Sequence, residues 1–195
     1  MRATSGAKLG GSGNCYRRSL IKDKAAMVDN NLPYFGQINV IQLKEYYEIV
    51  IEFKKSELKI DLNFKGKSIA KEKIKKIKIF LNNINRFDMQ NRTYIDNDFI
   101  NKGQADSYIK FYLHDLHDGE LSRIIDCNDK SISEEDQLLN KLRLKRIGLY
   151  PDGKYDTSSY SVFDYSIDID GKPCDQLLVV NTNENGDLSH ISWES

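Results

Sequence analysis

Two neighbouring stretches of strict alternation constrain this chain most. In 46–53, Tyr47, Ile49, Ile51 and Phe53 alternate with Tyr46, Glu48, Val50 and Glu52. In 58–64, Leu58, Ile60, Leu62 and Phe64 alternate with Lys59, Asp61 and Asn63. A period of two puts each apolar set on one face, so both stretches read as strands with one buried side. The polar Lys54-Lys55-Ser56-Glu57 between them has the length of a hairpin loop. An earlier strand over 34–41 would be anchored by Phe35, Ile38 and Val40.

The period then changes. Ile74, Ile77, Leu81, Ile84 and Phe87 recur at spacings of three and four, which predicts a helix over about 68–86. Asp88 can cap a second helix carrying Tyr94, Ile95 and Phe99, ended by Lys102-Gly103. A third, near 104–118, has Tyr108, Ile109, Tyr112, Leu113 and Leu116 as apolar positions and Gly119 as its stop. Ser133-Glu134-Glu135-Asp136 resembles a capping box that starts a fourth, short helix through Leu142.

Strand patterns return at the end. The 144–150 stretch closes at Pro151-Asp152-Gly153, a turn signal, and 160–169 places Phe163, Tyr165, Ile167 and Ile169 on one face. Leu177-Leu178-Val179-Val180 is continuously apolar, as in a strand covered on both sides. Asn185-Gly186, a pair that favours a type I′ turn, joins it to a last strand over 188–193. The expected fold class is therefore α+β. A mainly antiparallel sheet comes from N- and C-terminal strands, with a central block of three to four helices.

Composition fits one such domain. The 195 residues include 8 Phe, 11 Tyr and 1 Trp within a 39% apolar share, enough for a real core. No apolar run approaches the roughly 20 residues of a membrane span. Lys+Arg and Asp+Glu are equal at 29 each, which argues against a nucleic-acid or membrane-surface partner. The balance is uneven, however. Residues 1–26 hold six basic residues and one acid, so 23 basic and 28 acidic residues remain from Met27 onward, a net charge of −5. With four Gly in its first 13 positions, 1–26 reads as a disordered leader or extension before a single domain over 27–195. Tyr16-Arg17-Arg18-Ser19-Leu20-Ile21-Lys22 looks like a twin-arginine signal but lacks the apolar segment that should follow.

Few motifs carry chemistry. His114 and His117, with Asp118 and Glu120 beside them, could form a metal site in the third helix. The spacing is not that of a zincin helix, and a solvated helix end explains it as well. Ser166–Gly171 and Asn181–Gly186 imitate calcium loops, but both lack the acid at the twelfth position, and turns between strands account for them. Cys15, Cys127 and Cys174 are odd in number and widely spaced, which suits a reducing, cytoplasmic setting. Either Cys127 or Cys174 could pair with His190 as nucleophile and base, although nothing local supports it. Lys65 to Lys78 holds seven Lys, the polar face of the first helix or a contact strip. Between Tyr155 and Ser195 there are eight acids and one Lys, with aromatics interleaved. Tyr155, Tyr160, Asp164, Tyr165, Asp168 and Trp193 are the candidate binding residues of such an acidic, aromatic surface, which suits a basic protein partner.

Pro33-Tyr34-Phe35-Gly36, Glu45-Tyr46-Tyr47-Glu48, Arg146-Ile147-Gly148-Leu149-Tyr150-Pro151, Phe163-Asp164-Tyr165, Leu177-Leu178-Val179-Val180 and His190-Ile191-Ser192-Trp193-Glu194-Ser195 resemble a bacterial family known as domain of unknown function two thousand and four. The resemblance covers about 33–195. It implies a stand-alone cytoplasmic bacterial α+β protein and assigns no catalytic residue. With no coherent catalytic constellation and no cofactor motif, the leading expectation is a small cytoplasmic protein-interaction module, of the kind that neutralises another protein, as an immunity protein does. The alternative is a metal-dependent hydrolase built on the His114/His117 region.

Overall fold

The chain enters through a minimal hairpin, β1 (Asn31–Leu32) and β2 (Gly36–Gln37), in the computed structural model, which describes residues 30–195. The strand expected over 34–41 is thus only two residues long. Tyr34 and Gly36 both take positive φ, which turns the chain back instead of extending it. The leader, Met27 and Cys15 lie outside the described residues.

Alternation then builds the hairpin it predicts. Strands β3 (Tyr46–Phe53) and β4 (Ser56–Asn63) pair antiparallel from Tyr46↔Asn63 to Phe53↔Ser56. Their loop is shorter than expected, only Lys54 and Lys55, with φ of 49° and 65°. Five helices follow: α1 (Lys71–Asn82), α2 (Ile84–Ile100), α3 (Gln104–Asp115), α4 (Asp118–Ile124) and α5 (Glu134–Lys141). The first apolar stripe is shared between two helices, because the backbone breaks helical geometry at Asn83 (φ −116°, ψ 18°). Asp88 consequently lies inside α2, not at a cap, and is buried. Helix α4 was not expected, and Gly119 sits within it. Ser133 caps α5 as its sequence predicts, its hydroxyl accepting from the Asp136 N–H at 3.0 Å.

Strands β5 (Arg143–Leu149), β6 (Ser161–Ser166), β7 (Asp168–Ile169), β8 (Lys172–Pro173), β9 (Leu177–Thr182) and β10 (Leu188–Glu194) complete the chain. The main sheet has the order β10-β9-β6-β5-β4-β3, antiparallel except for β4 beside β5. That one parallel pair follows from the helical block, a crossover that carries the chain back to the end of the sheet where β4 began. The β7–β8 hairpin turns at Asp170-Gly171, both at positive φ, so the first calcium-like segment is a tight turn. At Asn185-Gly186 only Gly186 has positive φ. Its N–H bonds the Asn183 carbonyl at 3.1 Å, a turn other than the expected type I′.

Helices and inward strand residues form the core. Phe80 stacks on Phe87 and meets Phe163, while Trp193 of edge strand β10 packs against Tyr108 and Phe111 of α3. Phe80, Phe87, Tyr108 and Phe163 are almost completely buried, each such side chain contributing about 1.5–3 kcal/mol.

Candidate functional site

Helices α1, α2 and α3 pack on the face of the main sheet that carries Ile60, Ile147, Phe163 and Val180, through the Phe80–Phe163, Asp88–Tyr165 and Tyr108–Trp193 contacts. The opposite face is built by the other half of each alternation. It presents Tyr46, Glu48, Val50 and Glu52 from β3, Glu57, Lys59, Asp61 and Asn63 from β4, and Arg146 and Gly148 from β5. Asp164 of β6 and Glu194 of β10 extend it.

Arg146 organises this face. Its Nε and Nη2 donate to the two Asp61 carboxylate oxygens at 2.6 and 3.0 Å, across the parallel β4–β5 pair. Its Nη1 donates to Asp164 at 3.0 Å and its Nη2 to the Tyr150 hydroxyl at 3.1 Å. Gly148 makes the reach possible: a Cβ there would lie 2.7 Å from Arg146 Nη2 and 3.1 Å from the Tyr150 ring. Burial by itself would lower the Arg146 pKa, but the bond and charge of Asp61 outweigh it and hold the guanidinium above its ordinary range. Asp164 goes the other way. Burial raises its carboxyl pKa, and Arg146 offsets this only in part.

Beside this centre the face is strained electrostatically. Glu48 is directly opposite Asp61, and Glu52 directly opposite Glu57, so two carboxylate pairs face each other across one hairpin. Like charges so placed are destabilising. Lys59 relieves the first pair, bonding Glu48 at 2.6 Å and holding its carboxyl below the usual range, and the Tyr46 hydroxyl donates to the same carboxylate. Among the described residues no Lys, Arg or His forms an ion pair with Glu52 or Glu57.

The six aromatic and acidic positions expected as one binding surface do not gather. Alternation sends neighbours to opposite faces: Asp164 joins Arg146 on one side, while Tyr165 is fully buried on the other, its hydroxyl donating to Asp88 at 2.8 Å. Tyr160 packs against Phe80, and its hydroxyl finds no partner among the described residues. Trp193 faces the helices and donates from Nε1 to Gln176 at 2.7 Å. Asp168 pairs with Lys145 at the bulge in β5, at 2.6 Å. Tyr155 is 73% exposed, with its ring edge-on to Tyr150 at 6.2 Å. Only Tyr155, through Tyr150, and Asp164 connect to the Arg146 centre.

The histidine region divides as well. Helix α3 ends at Asp115 and Leu116 is extended, so His114 closes one helix while His117 caps the next. The His117 side chain and Glu120 form a capping box for α4, which Asp118 opens. Among the described residues no group of three His, Cys, Asp or Glu is placed to hold a metal ion. His190 belongs to the opposite face and bonds Ser189, whereas Cys127 and Cys174 pack against the core, so among the described residues neither thiol is brought to His190.

Sequence reasoning missed Arg146 and Asp61 as a site. The available signal was an acid and a base at outward positions of two strands whose alternate residues are apolar. Among the described residues no helix is long and apolar enough to cross a membrane. Compared with protein-family models, with curated proteins and with solved structures, the chain matches none.

Proposed function

We propose that this chain is a protein-interaction module whose Arg146-bearing sheet face docks a basic surface of another protein. The facing carboxylates Glu52 and Glu57 carry this reading. They weaken the free hairpin by about 0.2–1 kcal/mol, and a cationic partner would remove that penalty on binding. Outward strand residues of the face total six carboxylates (Glu48, Glu52, Glu57, Asp61, Asp164, Glu194) against Lys59, Lys145 and Arg146, a net of −3. Tyr46 and Tyr155, 43% and 73% exposed, supply the aromatic anchors that such interfaces use. A small acidic module of this kind suits the neutralisation of a basic protein. The unpaired Cys127 and Cys174 support a reducing, cytoplasmic setting.

Glu52→Lys tests it with two readouts that move in opposite directions. The variant replaces repulsion with an attractive cross-strand pair, so the isolated protein gains stability in urea denaturation by about 0.5 kcal/mol. A stoichiometric basic protein retained by the wild type at low salt, then purified and titrated directly, binds the variant more weakly. Retention of no stoichiometric partner, or equal affinity for both forms, overturns the reading.

A further inference from the structure

A second concave site lies on the helix side, at the far end of the sheet from Tyr150. Lys54, Asp88, Arg92, Asp96, Asn140 and Arg143 line a cleft of about 510 Å³ between the β3–β4 turn, α2 and α5. Three features show that its cations are deliberately placed. Lys54 and Lys55 occupy a two-residue turn with both φ positive, where Asn-Gly is the unstrained choice. That turn delivers the Lys54 ammonium to Asp88 at 2.7 Å. Arg92 Nη2 and Arg143 Nη1 donate to one and the same oxygen, the Leu142 carbonyl, at 2.6 and 2.9 Å. Two guanidiniums are thereby held side by side at the C-terminal end of α5, where the helix dipole offsets their repulsion.

The acids of the cleft leave Arg143 free and hold Arg92 only at long range. Asp88 is bonded by Lys54 and by the Tyr165 hydroxyl, which donates at 2.8 Å, and lies 3.9 Å from Arg92 Nε. Arg143 engages only local carbonyls, through Nη1, and is exposed. Lys54, Arg92 and Arg143 against Asp88 and Asp96 give the cleft a net charge of +1. An adjoining hollow of about 300 Å³ shares Asp96, Leu139 and Asn140 with it and is otherwise lined by Phe99, Ile100, Ile132 and Asp136. Ile100 and Ile132 are 69% and 45% exposed. Asp136 accepts from Ser133 at the far rim.

We infer that the cleft and hollow together bind a small carboxylic acid with an apolar body. The carboxylate would be gripped by the Arg92–Arg143 pair and the apolar part laid along Ile100 and Ile132. Two adjacent guanidinium forks match the two oxygens of a carboxylate. The site is on the other side of the sheet from the protein-docking face, so either can fail without the other.

Octanoate is the probe, with octan-1-ol and inorganic phosphate as controls, titrated into the full chain by calorimetry and by amide chemical shifts. Octanoate is expected to bind saturably at one site, moving the amides of α5 and of Lys54. Arg143→Gln, an exposed residue, should weaken it about tenfold. Arg143→Lys, which keeps the charge but not the fork, should also weaken it, and serves if the first variant does not fold. Absence of octanoate binding at millimolar concentration overturns the inference. So does equal binding of octan-1-ol or phosphate, or an affinity unchanged in the Arg143 variants.

Discussion

Arg146 and Asp61 form a two-point ion pair across the parallel β4–β5 pair of the main sheet, at 2.6 and 3.0 Å. Asp61 is fully buried, and Asp164, the second carboxylate on the same guanidinium, is nearly so. Arg146→Met would leave two buried carboxylates without their cation. The expected loss is about 3 kcal/mol, read from urea denaturation at neutral pH. Asp61→Leu in that background should recover part of it, because an apolar pair replaces an uncompensated charge. A loss within 0.5 kcal/mol, roughly that of an ordinary surface change, would show that the pair is not structural.

Gly148→Ala tests the same centre from beneath. The added methyl would meet Arg146 Nη2 and the Tyr150 ring. The guanidinium is a flexible tip, so the cost lies in pulling it away from Asp61, about 1–3 kcal/mol. In an Arg146→Ala background that cost should shrink, since the atom in the way is gone. Additive effects in this double-mutant cycle would place the penalty elsewhere.

The centre was hidden from sequence reasoning by its topology. Alternation marks Asp61 and Arg146 as outward residues of two strands, but they are 85 positions apart. Nothing local says that β4 and β5 become parallel neighbours after five helices. Fold class and most of the element order were legible because hydrophobic periodicity and capping signals are local: the β3–β4 hairpin follows from the first and the start of α5 from the second. Asn83 shows the limit. An uninterrupted apolar stripe crosses a helix break there, with no Gly or Pro to announce it. Tyr165 shows another, since a chemically suggestive Asp164-Tyr165 pair is divided between two faces by the same alternation that was used to find the strand.

Lys55→Gly should stabilise the chain. Lys55 holds φ of 65° without the conformational freedom of glycine, in a turn whose partner Lys54 is tied down by Asp88. Relief of left-handed strain, less the extra entropy of an unfolded glycine, leaves a gain of about 0.5–1 kcal/mol. Thermal unfolding of the single variant reads it directly. A destabilised variant would mean that the Lys55 side chain makes contributions that outweigh its backbone.

Asp164 sets a pH dependence of definite sign. Burial raises its pKa in the folded chain above the unfolded value of about 3.9, against the pull of Arg146. The folded state therefore holds this proton more tightly than the unfolded state. Below the unfolded pKa the proton is bound in both states and Asp164 contributes its full share. As pH rises from there through the folded pKa, that share falls, because the folded state must accommodate a buried charge. Asp164→Asn cannot titrate. The stability of the wild type relative to this variant should consequently decline as pH rises from about 3.9, then level off above the folded pKa. Urea denaturation of both proteins across the acidic range measures the difference, and a carboxyl titration followed by carbon-13 shifts locates the midpoint. A difference that rises with pH over that window would mean that Arg146 outweighs burial, and that the face keeps Asp164 ionised.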